Sequence, residues 1–275
     1  MSSGIHQVAQ AGFGKGTNEL YDRARPTYPA SALSYIRSSL PNSPPFNVLE
    51  IGSGTGIFTR ALLAHPEWKS AVGELRAVEP SEGMRERFLE TVKDERASVK
   101  DGAFEVTHVP DGWADLIVIA QAFHWCPDYS KAVAEFNRAL SPNGRVVLIW
   151  NLEDARTPWV GQLRDVVEDH EKGTPQYRLG LWRQAFSTNT YIKFFEPPVE
   201  KRFEHSVTAT LDAVIERAFT KSYIAIASEE AKTRVRKGVT EVVTKGEGKE
   251  WLNETEGTFK YPYITTVVVL KKSET

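Results

Sequence analysis

An apolar strand that runs directly into three closely spaced glycines most constrains how this chain can fold. Residues 46–51 predict a buried strand, and Gly52, Gly54 and Gly56 follow it at once. Glycines at such a place allow a tight turn and let a ligand approach the backbone, while the amide groups of the next helix point into the same space. Because ligands of parallel sheets lie beyond the carboxyl ends of the strands, this loop predicts a small-molecule site.

The spacing of the loop excludes two common nucleotide sites. A dinucleotide fingerprint would need a third glycine where Ile57 stands, and the lysine that ends a phosphate-binding P-loop is absent. Glu79 ends the second predicted strand, where a carboxylate can accept hydrogen bonds from both hydroxyls of a ribose. The pattern therefore predicts an adenosine-type ligand without a pyrophosphate, and the alternative is a tight turn beside a solvated Glu79.

Short β-branched runs alternate with helical periodicity along the chain, which predicts a parallel sheet covered by helices. Strands are predicted over residues 46–51, 75–79, 97–100, 115–120, 145–150, 199–207 and 263–270. Helices are predicted over residues 55–64, 81–93 with Ser81 as N-cap, 159–167, 211–219 and 228–244, and in a segment that carries Val133, Phe136 and Leu140. The expected α/β fold is a Rossmann-like, doubly wound, seven-stranded sheet that is mostly parallel, with its last strand antiparallel and with a helical cap.

The organisation predicted is one domain over residues 1–275. Residues 1–45 would form an N-terminal lid segment, residues 46–150 the ligand-binding core, and residues 151–198 and 208–260 insertions that form the cap. Residues 12–17 resemble a nucleotide loop but no strand precedes them, so we interpret them as a flexible segment. Residues 245–249 predict an exposed loop.

The composition narrows the class of partner. The formal net charge is -2 without a basic run, so no nucleic acid is expected as partner. The single cysteine, Cys126, excludes an intrachain disulfide and predicts a packed thiol rather than a nucleophile. The six histidines show no metal-ligand spacing, so no metal is expected. Without a secretory signal or an apolar run of membrane-spanning length, we expect a cytoplasmic protein that contacts no membrane, as a monomer or a homodimer.

Several stretches beyond the glycine loop belong to one recognisable pattern. The sequence resembles the class I S-adenosylmethionine-dependent methyltransferases, and within them the small-molecule group called methyltransferase type 11. It is also similar to the fungal trans-aconitate and cantharidin-type methyltransferases. The stretches that carry the resemblance are residues 21–29 (YDRARPTYP), 48–56 (VLEIGSGTG), 78–81 (VEPS) with Met84, 121–125 (QAFHW), 150–159 (WNLEDARTPW), 222–225 (SYIA) and 262–265 (PYIT).

The resemblance implies S-adenosylmethionine as cofactor, with S-adenosylhomocysteine as its product. Tyr21 and Arg25 would close over its carboxylate, Glu50 would help to hold its ammonium group, and Gln121 would lie beside the sulfonium. The residues that would wrap the methionine and the ribose are Gly52, Ser53, Gly54 and Gly56.

At the adenine end the resemblance is less complete. It implies that Glu79 binds the ribose hydroxyls and that Pro80 and Met84 pack on the adenine. The family commonly has a polar side chain near the adenine amino group, where this chain has Ala103 followed by Phe104. Stacking and backbone contacts would then hold the adenine, in a pocket that is weaker or reshaped.

Methyl transfer from a sulfonium is an in-line displacement, so the protein supplies mainly proximity and alignment. A base is needed only for a protonated acceptor, and His124 at the ligand edge of the sheet is the candidate base. A packed residue at the rim is the alternative role. Trp125, Trp150 and Asn151 are predicted to bind the acceptor, and the aromatic side chains favour an apolar or planar small molecule. Arg178 and Arg183 would attract an anionic acceptor, although we interpret them as solvated.

The hypothesis favoured by these motifs is a small-molecule methyltransferase with an oxygen acceptor, either a hydroxyl or a carboxylate. Nitrogen and sulfur acceptors stay open, because a fold does not determine a substrate. A second hypothesis is a cofactor-binding protein that transfers no methyl group, as a partner subunit or a rearrangement catalyst. An RNA or protein methyltransferase would need basic or peptide-binding surfaces that the sequence does not show.

Overall fold

The central element of the structure is one mixed β-sheet. The structure, a computed structural model, describes residues 18–41 and 43–274. The interpretation of residues 12–17, and that of the first part of the predicted lid, lie outside the described residues. The strands are β1 (Phe46–Ile51), β2 (Val72–Val78), β3 (Ala97–Lys100), β4 (Ala114–Ala120), β5 (Leu140–Glu153), β6 (Val199–Ala209), β7 (Trp251–Asn253) and β8 (Thr258–Lys271).

The strand order is β3-β2-β1-β4-β5-β8-β6, with β7 paired to β8 beside this path. Strands β1 to β5 pair in parallel, whereas β8 pairs antiparallel with both β5 and β6. This confirms the predicted fold class, with β7 as an eighth, short strand. The chain order reverses between β1 and β4, and ligands of such sheets bind beside that switch point.

Helices cover the sheet and build the cap. They are α1 (Asn18–Ala24), α2 (Ala30–Ser38), α3 (Ile57–Ala64), α4 (Pro66–Lys69), α5 (Glu82–Thr91), α6 (Tyr129–Ala139), α7 (Pro158–Glu168), α8 (Asn189–Phe194), α9 (Leu211–Phe219), α10 (Ser222–Ala225) and α11 (Glu229–Lys245). Three short 3₁₀ helices occupy Phe123–Trp125, Tyr177–Leu179 and Leu181–Ser187. Within the described residues, no helix is both long and apolar enough to cross a membrane.

Local chemistry explains several element ends. Ser81 Oγ accepts a hydrogen bond from the Met84 amide at 3.3 Å, which confirms Ser81 as the N-cap of α5. The predicted helix from residue 55 begins at Ile57 instead, because Gly56 has a left-handed backbone. Leu140 was predicted on a helix, but it opens β5 and pairs with Ala114.

The two antiparallel strands are the elements that the sequence pattern underestimated most. β5 and β8 have 14 residues each, against the six and eight predicted. The antiparallel pairing of β5 with β8 begins at Arg145 and Lys271 and ends at Glu153 and Tyr263. This pairing extends β5 beyond its predicted end at residue 150, towards the cap. The predicted exposed loop is also held in place, since the Glu247 carbonyl accepts from the Trp159 amide at 3.0 Å.

Three apolar clusters form the interior. Neighbouring β1 residues belong to different clusters, Val48 to one and Leu49 to the other, as expected for a sheet covered on both faces. The third cluster joins helices α7, α9 and α11 to the N-terminal half of β8, and Trp159 and Val239 are fully buried in it. The cap therefore has its own core, connected to the sheet through β8.

Candidate functional site

The glycine loop after β1 contains three glycines that meet different needs. Gly52, with φ +72°, would place a Cβ 2.7 Å from that of Ala122. Gly56, with φ +83°, would place one 2.6 Å from Val92 Cγ2 on the α5 side. Gly54 has φ +55°, but a Cβ there would meet nothing within 4 Å. Two glycines thus permit close packing, while Gly54 borders open space.

Glu79 is bonded to this loop rather than solvated. Its Oε2 accepts from the Gly54 amide at 3.0 Å, and its Oε1 accepts from the Ser81 amide at 2.9 Å. Burial raises the pKa of Glu79, and the two amide bonds oppose that rise. The carboxylate lies where the loop, β2 and α5 meet, which is the location that a ribose-binding acid needs.

Helix α1 forms a wall of the site and is attached to the glycine loop. Asp22 Oδ1 accepts from Thr55 Oγ1 at 2.7 Å and from Arg60 Nη2 at 2.6 Å. The Arg25 guanidinium lies 4.4 Å from the ring of Tyr21 and donates to the carbonyl of Thr220 at 2.6 Å. These bonds hold the α1 segment between the loop and the cap.

A first pocket, here called the loop pocket, opens between the glycine loop, α1 and the end of β4. Its walls include the predicted residues Tyr21, Arg25, Glu50, Gly52, Ser53, Gly54 and Gln121. Two of their buried polar atoms, Glu50 Oε1 and Ser53 Oγ, have no hydrogen-bond partner in the part of the chain that the structure describes. Buried polar atoms are nearly always paired, so this pocket fits a ligand that supplies the missing partners.

The electrostatics of Glu50 indicate what such a ligand carries. Glu50 is fully buried, its Oε2 accepts from the Thr59 hydroxyl, and burial raises its pKa to about 8. A cationic donor beside the free oxygen Oε1 would compensate the buried charge. An ammonium group has this character.

The residues predicted at the adenine end lie apart from the loop pocket. Met84 is buried on α5, and Ala103 forms an isolated bridge with Val106. The Phe104 ring packs edge-on against Phe123, with the centroids 6.0 Å apart. Pro80 and these three residues are not among the walls of the loop pocket, nor is Gly56. Their cofactor roles stay predictions.

A second pocket, here called the cap pocket, lies under α7, α9 and α10 and shares Tyr21, Arg25 and Gln121 with the loop pocket. Gln121 has φ +59°, a left-handed conformation that is unusual for a side-chain-bearing residue. Its backbone amide donates to the Ile149 carbonyl and its side-chain amide to the Asn151 carbonyl, each at 2.8 Å. Such strain is characteristic of functional sites, and here it occurs where the two pockets meet.

The cap pocket is highly charged, which corrects the expectation of an apolar site. Arg25, Arg178, Arg217 and Lys221 line it together with two glutamates, Glu168 and Glu171. Arg178 bonds to both of these glutamates, at 2.9 and 2.5 Å. Arg183 lies outside this pocket and pairs with Glu200 at 2.5 Å.

A buried ion triad supports the cap pocket. The carboxylate of Glu153 contacts Arg217 Nη2 at 2.7 Å and Lys221 Nζ at 3.1 Å. Burial opposes ionisation of Glu153, but the cations of Arg217 and Lys221 hold its pKa well below its usual range. Burial lowers the pKa of Lys221 to about 8. Sequence reasoning missed all three residues, although an acid directly after a buried strand at the ligand edge is a usable signal.

His124 lines the cap pocket, but its geometry opposes the predicted role of base. Its Nδ1 accepts a hydrogen bond from Trp150 Nε1 at 3.3 Å, and an indole N–H can only donate. The neutral ring therefore carries its proton on Nε2 and has no lone pair left for an incoming proton. Burial, followed by the charges of Arg25 and Lys221, lowers the pKa of His124 to about 3. This geometry fits a hydrogen-bond donor better than a base.

The residues predicted to bind the acceptor separate into two groups. Trp125 and Asn151 line the cap pocket. Trp150 is fully buried and lines neither pocket, because it stacks on Tyr177 and packs against Trp182 at centroid distances of 4.7 and 4.4 Å. The prediction that Trp150 contacts the acceptor is therefore wrong for this structure: its indole bonds to His124 instead and does not reach the pocket.

Two further predictions concern reactive groups. Cys126 is buried and burial raises its pKa to about 12, as expected of the packed thiol that was predicted. Among residues 18–41 and 43–274, no group of three or more His, Cys, Asp or Glu side chains is arranged to hold a metal ion.

Comparison with known proteins relates this site to others. Residues 49–148 match the family described as methyltransferase domain. An uncharacterised methyltransferase-like protein of Schizosaccharomyces pombe is 29% identical over 176 residues, which cover 63% of this chain and 64% of that protein. A malonyl-[acyl-carrier protein] O-methyltransferase of Methylococcus capsulatus is 34% identical over 118 residues, 42% of this chain and 40% of that protein. The matches span less than two thirds of the length of these relatives.

Among solved structures, one assigned as a type II methyltransferase from Anaeromyxobacter dehalogenans superposes with a TM-score of 0.61. The superposition covers 89% of this chain and 97% of that one, at 18% sequence identity. At this identity the similarity establishes the fold.

Proposed function

We propose, from the premise that residues 49–148 form a class I S-adenosylmethionine-dependent methyltransferase domain, that this protein transfers a methyl group from S-adenosylmethionine to a carboxylate oxygen of a small molecule. The match to the methyltransferase domain family agrees with the family that the sequence motifs resemble, and it supports the cofactor that this family implies. The observation that carries the proposal is the junction of the two pockets, where Tyr21, Arg25 and Gln121 belong to both.

The residues of the loop pocket fit the methionine part of this cofactor. Glu50 Oε1 would take the ammonium group, Ser53 and the open space at Gly54 would accommodate the chain, and Arg25 would face the carboxylate. Glu79 would accept from the ribose. When bound, the cofactor supplies a methyl group already activated by a sulfonium. The protein's own contribution is alignment, which supplies up to roughly 7–11 kcal/mol of barrier reduction in well-oriented reactions.

The charges of the cap pocket favour a carboxylate among oxygen acceptors. The groups that act electrostatically on His124 are the two cations Arg25 and Lys221. His124 itself offers an Nε2–H donor rather than a base. An anionic oxygen would pair with Lys221 and accept from His124 Nε2–H, and it needs no proton removed, whereas a hydroxyl would need a base. The relative from Methylococcus capsulatus is named an O-methyltransferase, which supports an oxygen acceptor.

Two measurements test this proposal. Calorimetry with S-adenosylhomocysteine should show binding, and labelled methyl should reach small carboxylic acids but not the matched primary alcohols or amines. Transfer to the alcohols in preference to the acids would contradict the carboxylate proposal. Binding without transfer to a broad panel of acceptors would support a cofactor-binding protein instead.

Lys221 offers a sharper test of the acceptor's charge. Lys221→Met should raise KM for the carboxylate acceptor by about tenfold or more, since a charge-assisted hydrogen bond contributes roughly 1.5–3 kcal/mol. Affinity for S-adenosylhomocysteine should be retained. Lys237→Met, on the exposed face of α11, is the matched control and should leave both quantities unchanged. An unchanged KM in Lys221→Met would remove this lysine from acceptor binding.

A further inference from the structure

We infer that Trp150 is a positioning residue of the cap pocket: its indole N–H holds His124 in the tautomer that carries the proton on Nε2, so that the pocket selects an acceptor with a hydrogen-bond-accepting oxygen. This inference rests on the proposed function for what the acceptor is. The tautomer itself follows from the contact between the two side chains alone.

The direction of the hydrogen bond between Trp150 and His124 is unambiguous. The indole nitrogen has a proton and no lone pair in the ring plane, so at 3.3 Å Trp150 Nε1 is the donor and His124 Nδ1 the acceptor. A neutral imidazole that accepts at Nδ1 has its proton on Nε2. The cations Arg25 and Lys221, which act on the same ring, disfavour a second proton.

The indole of Trp150 is held rigidly. It is fully buried on β5, stacks on Tyr177 and packs against Trp182, whose own Nε1 donates to the Tyr177 carbonyl at 3.0 Å. Another aromatic neighbour of His124 is Trp125, 5.2 Å away between ring centroids. The aromatic stack therefore maintains the position of the donor even though it does not reach the pocket.

The Nε2–H group gives the pocket a means of discrimination. A carboxylate oxygen can accept from it, whereas a protonated amine would face a donor and two cations. A site built to hydrogen-bond one partner rejects analogues that leave its polar groups unpaired. Trp150 would thus influence specificity without touching the acceptor.

Nitrogen NMR of the full chain with ¹⁵N-labelled histidine tests the tautomer without any turnover. The wild-type protein should show the Nε2–H form of His124 at neutral pH, and Trp150→Phe should show a mixture with the Nδ1–H form. Trp182→Phe is the matched control, because it removes an indole from the same stack without touching His124, and it should keep the wild-type tautomer. Both variants should bind S-adenosylhomocysteine as the wild type does.

Steady-state kinetics test whether Trp150 influences the selectivity for the acceptor. Trp150→Phe should lower kcat/KM for the carboxylate acceptor by about tenfold and reduce the preference for the acid over its alcohol. His124→Gln, which can still accept from Trp150 and donate to the pocket, should retain more activity than His124→Phe. This comparison keeps the test decisive if Trp150→Phe does not fold.

Two outcomes would overturn the inference: an Nδ1–H tautomer in the wild-type protein, or an unchanged tautomer and unchanged selectivity in Trp150→Phe. Failure of the proposed function gives a different result, in which the tautomer depends on Trp150 as expected but no carboxylate is methylated.

Discussion

The Gly54 amide donates a hydrogen bond to Glu79 Oε2 at 3.0 Å, and this bond joins the glycine loop after β1 to the end of β2. Both residues were predicted as ligand contacts from their separate positions in the sequence. The bond shows that the acid also holds the loop in shape. Loss of Glu79 should therefore affect the loop and the ligand together.

Glu79→Gln should weaken binding of S-adenosylhomocysteine by about 10- to 100-fold, because charge-assisted hydrogen bonds contribute roughly 1.5–3 kcal/mol. Calorimetry measures this change. Glu82→Gln, an exposed position three residues further on in the first turn of α5, is the control and should bind normally. Equal affinities in the two variants would show that Glu79 does not contact the ligand.

The two glycines Gly52 and Gly54 should respond differently to the same substitution. Gly52→Ala should destabilise the protein strongly, since its Cβ would lie 2.7 Å from that of Ala122. Gly54→Ala meets no neighbouring atom and should cost only the strain of a left-handed alanine, about 1–2 kcal/mol. Thermal unfolding with and without S-adenosylhomocysteine separates the effects: Gly54→Ala should lose most of the stabilisation by the ligand. Full stabilisation of Gly54→Ala would place the ligand elsewhere.

Binding of the cofactor should release a proton from Glu50. Its pKa in the free protein is about 8, raised by burial, so at pH 7 Glu50 is mostly protonated, and the ammonium of the ligand would favour the ionised form. The neighbouring groups that act on it are Thr59, Arg60 and Glu79. Affinity should rise with pH up to about 8 and then level off.

Calorimetry in buffers of different ionisation enthalpy measures this release directly. Glu50→Gln should abolish it, whereas Glu82→Gln should not. The raised pKa of Glu50 has the opposite effect on the stability of the free protein, which falls with pH where the affinity rises. The contribution of Glu50 to stability is highest below its unfolded-state pKa of 4.5 and is lost as the pH rises through about 8. Binding heats that do not depend on the buffer would contradict this role of Glu50.

Glu153→Gln should destabilise the protein by about 3–5 kcal/mol, because Arg217 and Lys221 would keep buried charges without a counter-ion. Glu204→Gln on β6, whose carboxylate pairs with Arg156 at the surface, should cost at most about 1 kcal/mol. Chemical denaturation gives both values. Equal stability of the two variants would show that the triad is not needed for folding.

The lowered pKa of Glu153 also predicts an effect of acid on stability. The unfolded chain takes up a proton at this residue near pH 4.5, while the folded chain keeps Glu153 ionised. The stability that it contributes is therefore present above that pH and is lost as the pH falls below it. Wild-type protein should lose more stability than Glu153→Gln between pH 5 and pH 3.

The sequence was most informative where function depends on local backbone chemistry. Gly52, Gly54 and Glu79 follow strands whose apolar pattern is unmistakable, so their convergence at one sheet edge was predictable. The N-cap at Ser81 was predictable for the same reason. The full length of β5 was not, since it comes from pairing with β8, which lies more than a hundred residues away in sequence.

The acceptor side of the site shows the limit of sequence reasoning most clearly. His124 and Trp150 were interpreted separately, as a base and as a substrate contact, because nothing in their spacing shows that one donates to the other. Arg217 and Lys221 were not singled out from the sequence, because only the packing of α9 and the start of α10 against the end of β5 buries them beside Glu153.

By itself the sequence determined the type of sheet, the place of the glycine loop and the family of the domain, because these depend on short-range patterns of apolar residues, glycines and motifs. Only the tertiary structure decided the polarity of the cap pocket and the environment of His124. Both depend on desolvation and on hydrogen-bond partners from distant segments, and these interactions exist only once the chain has folded.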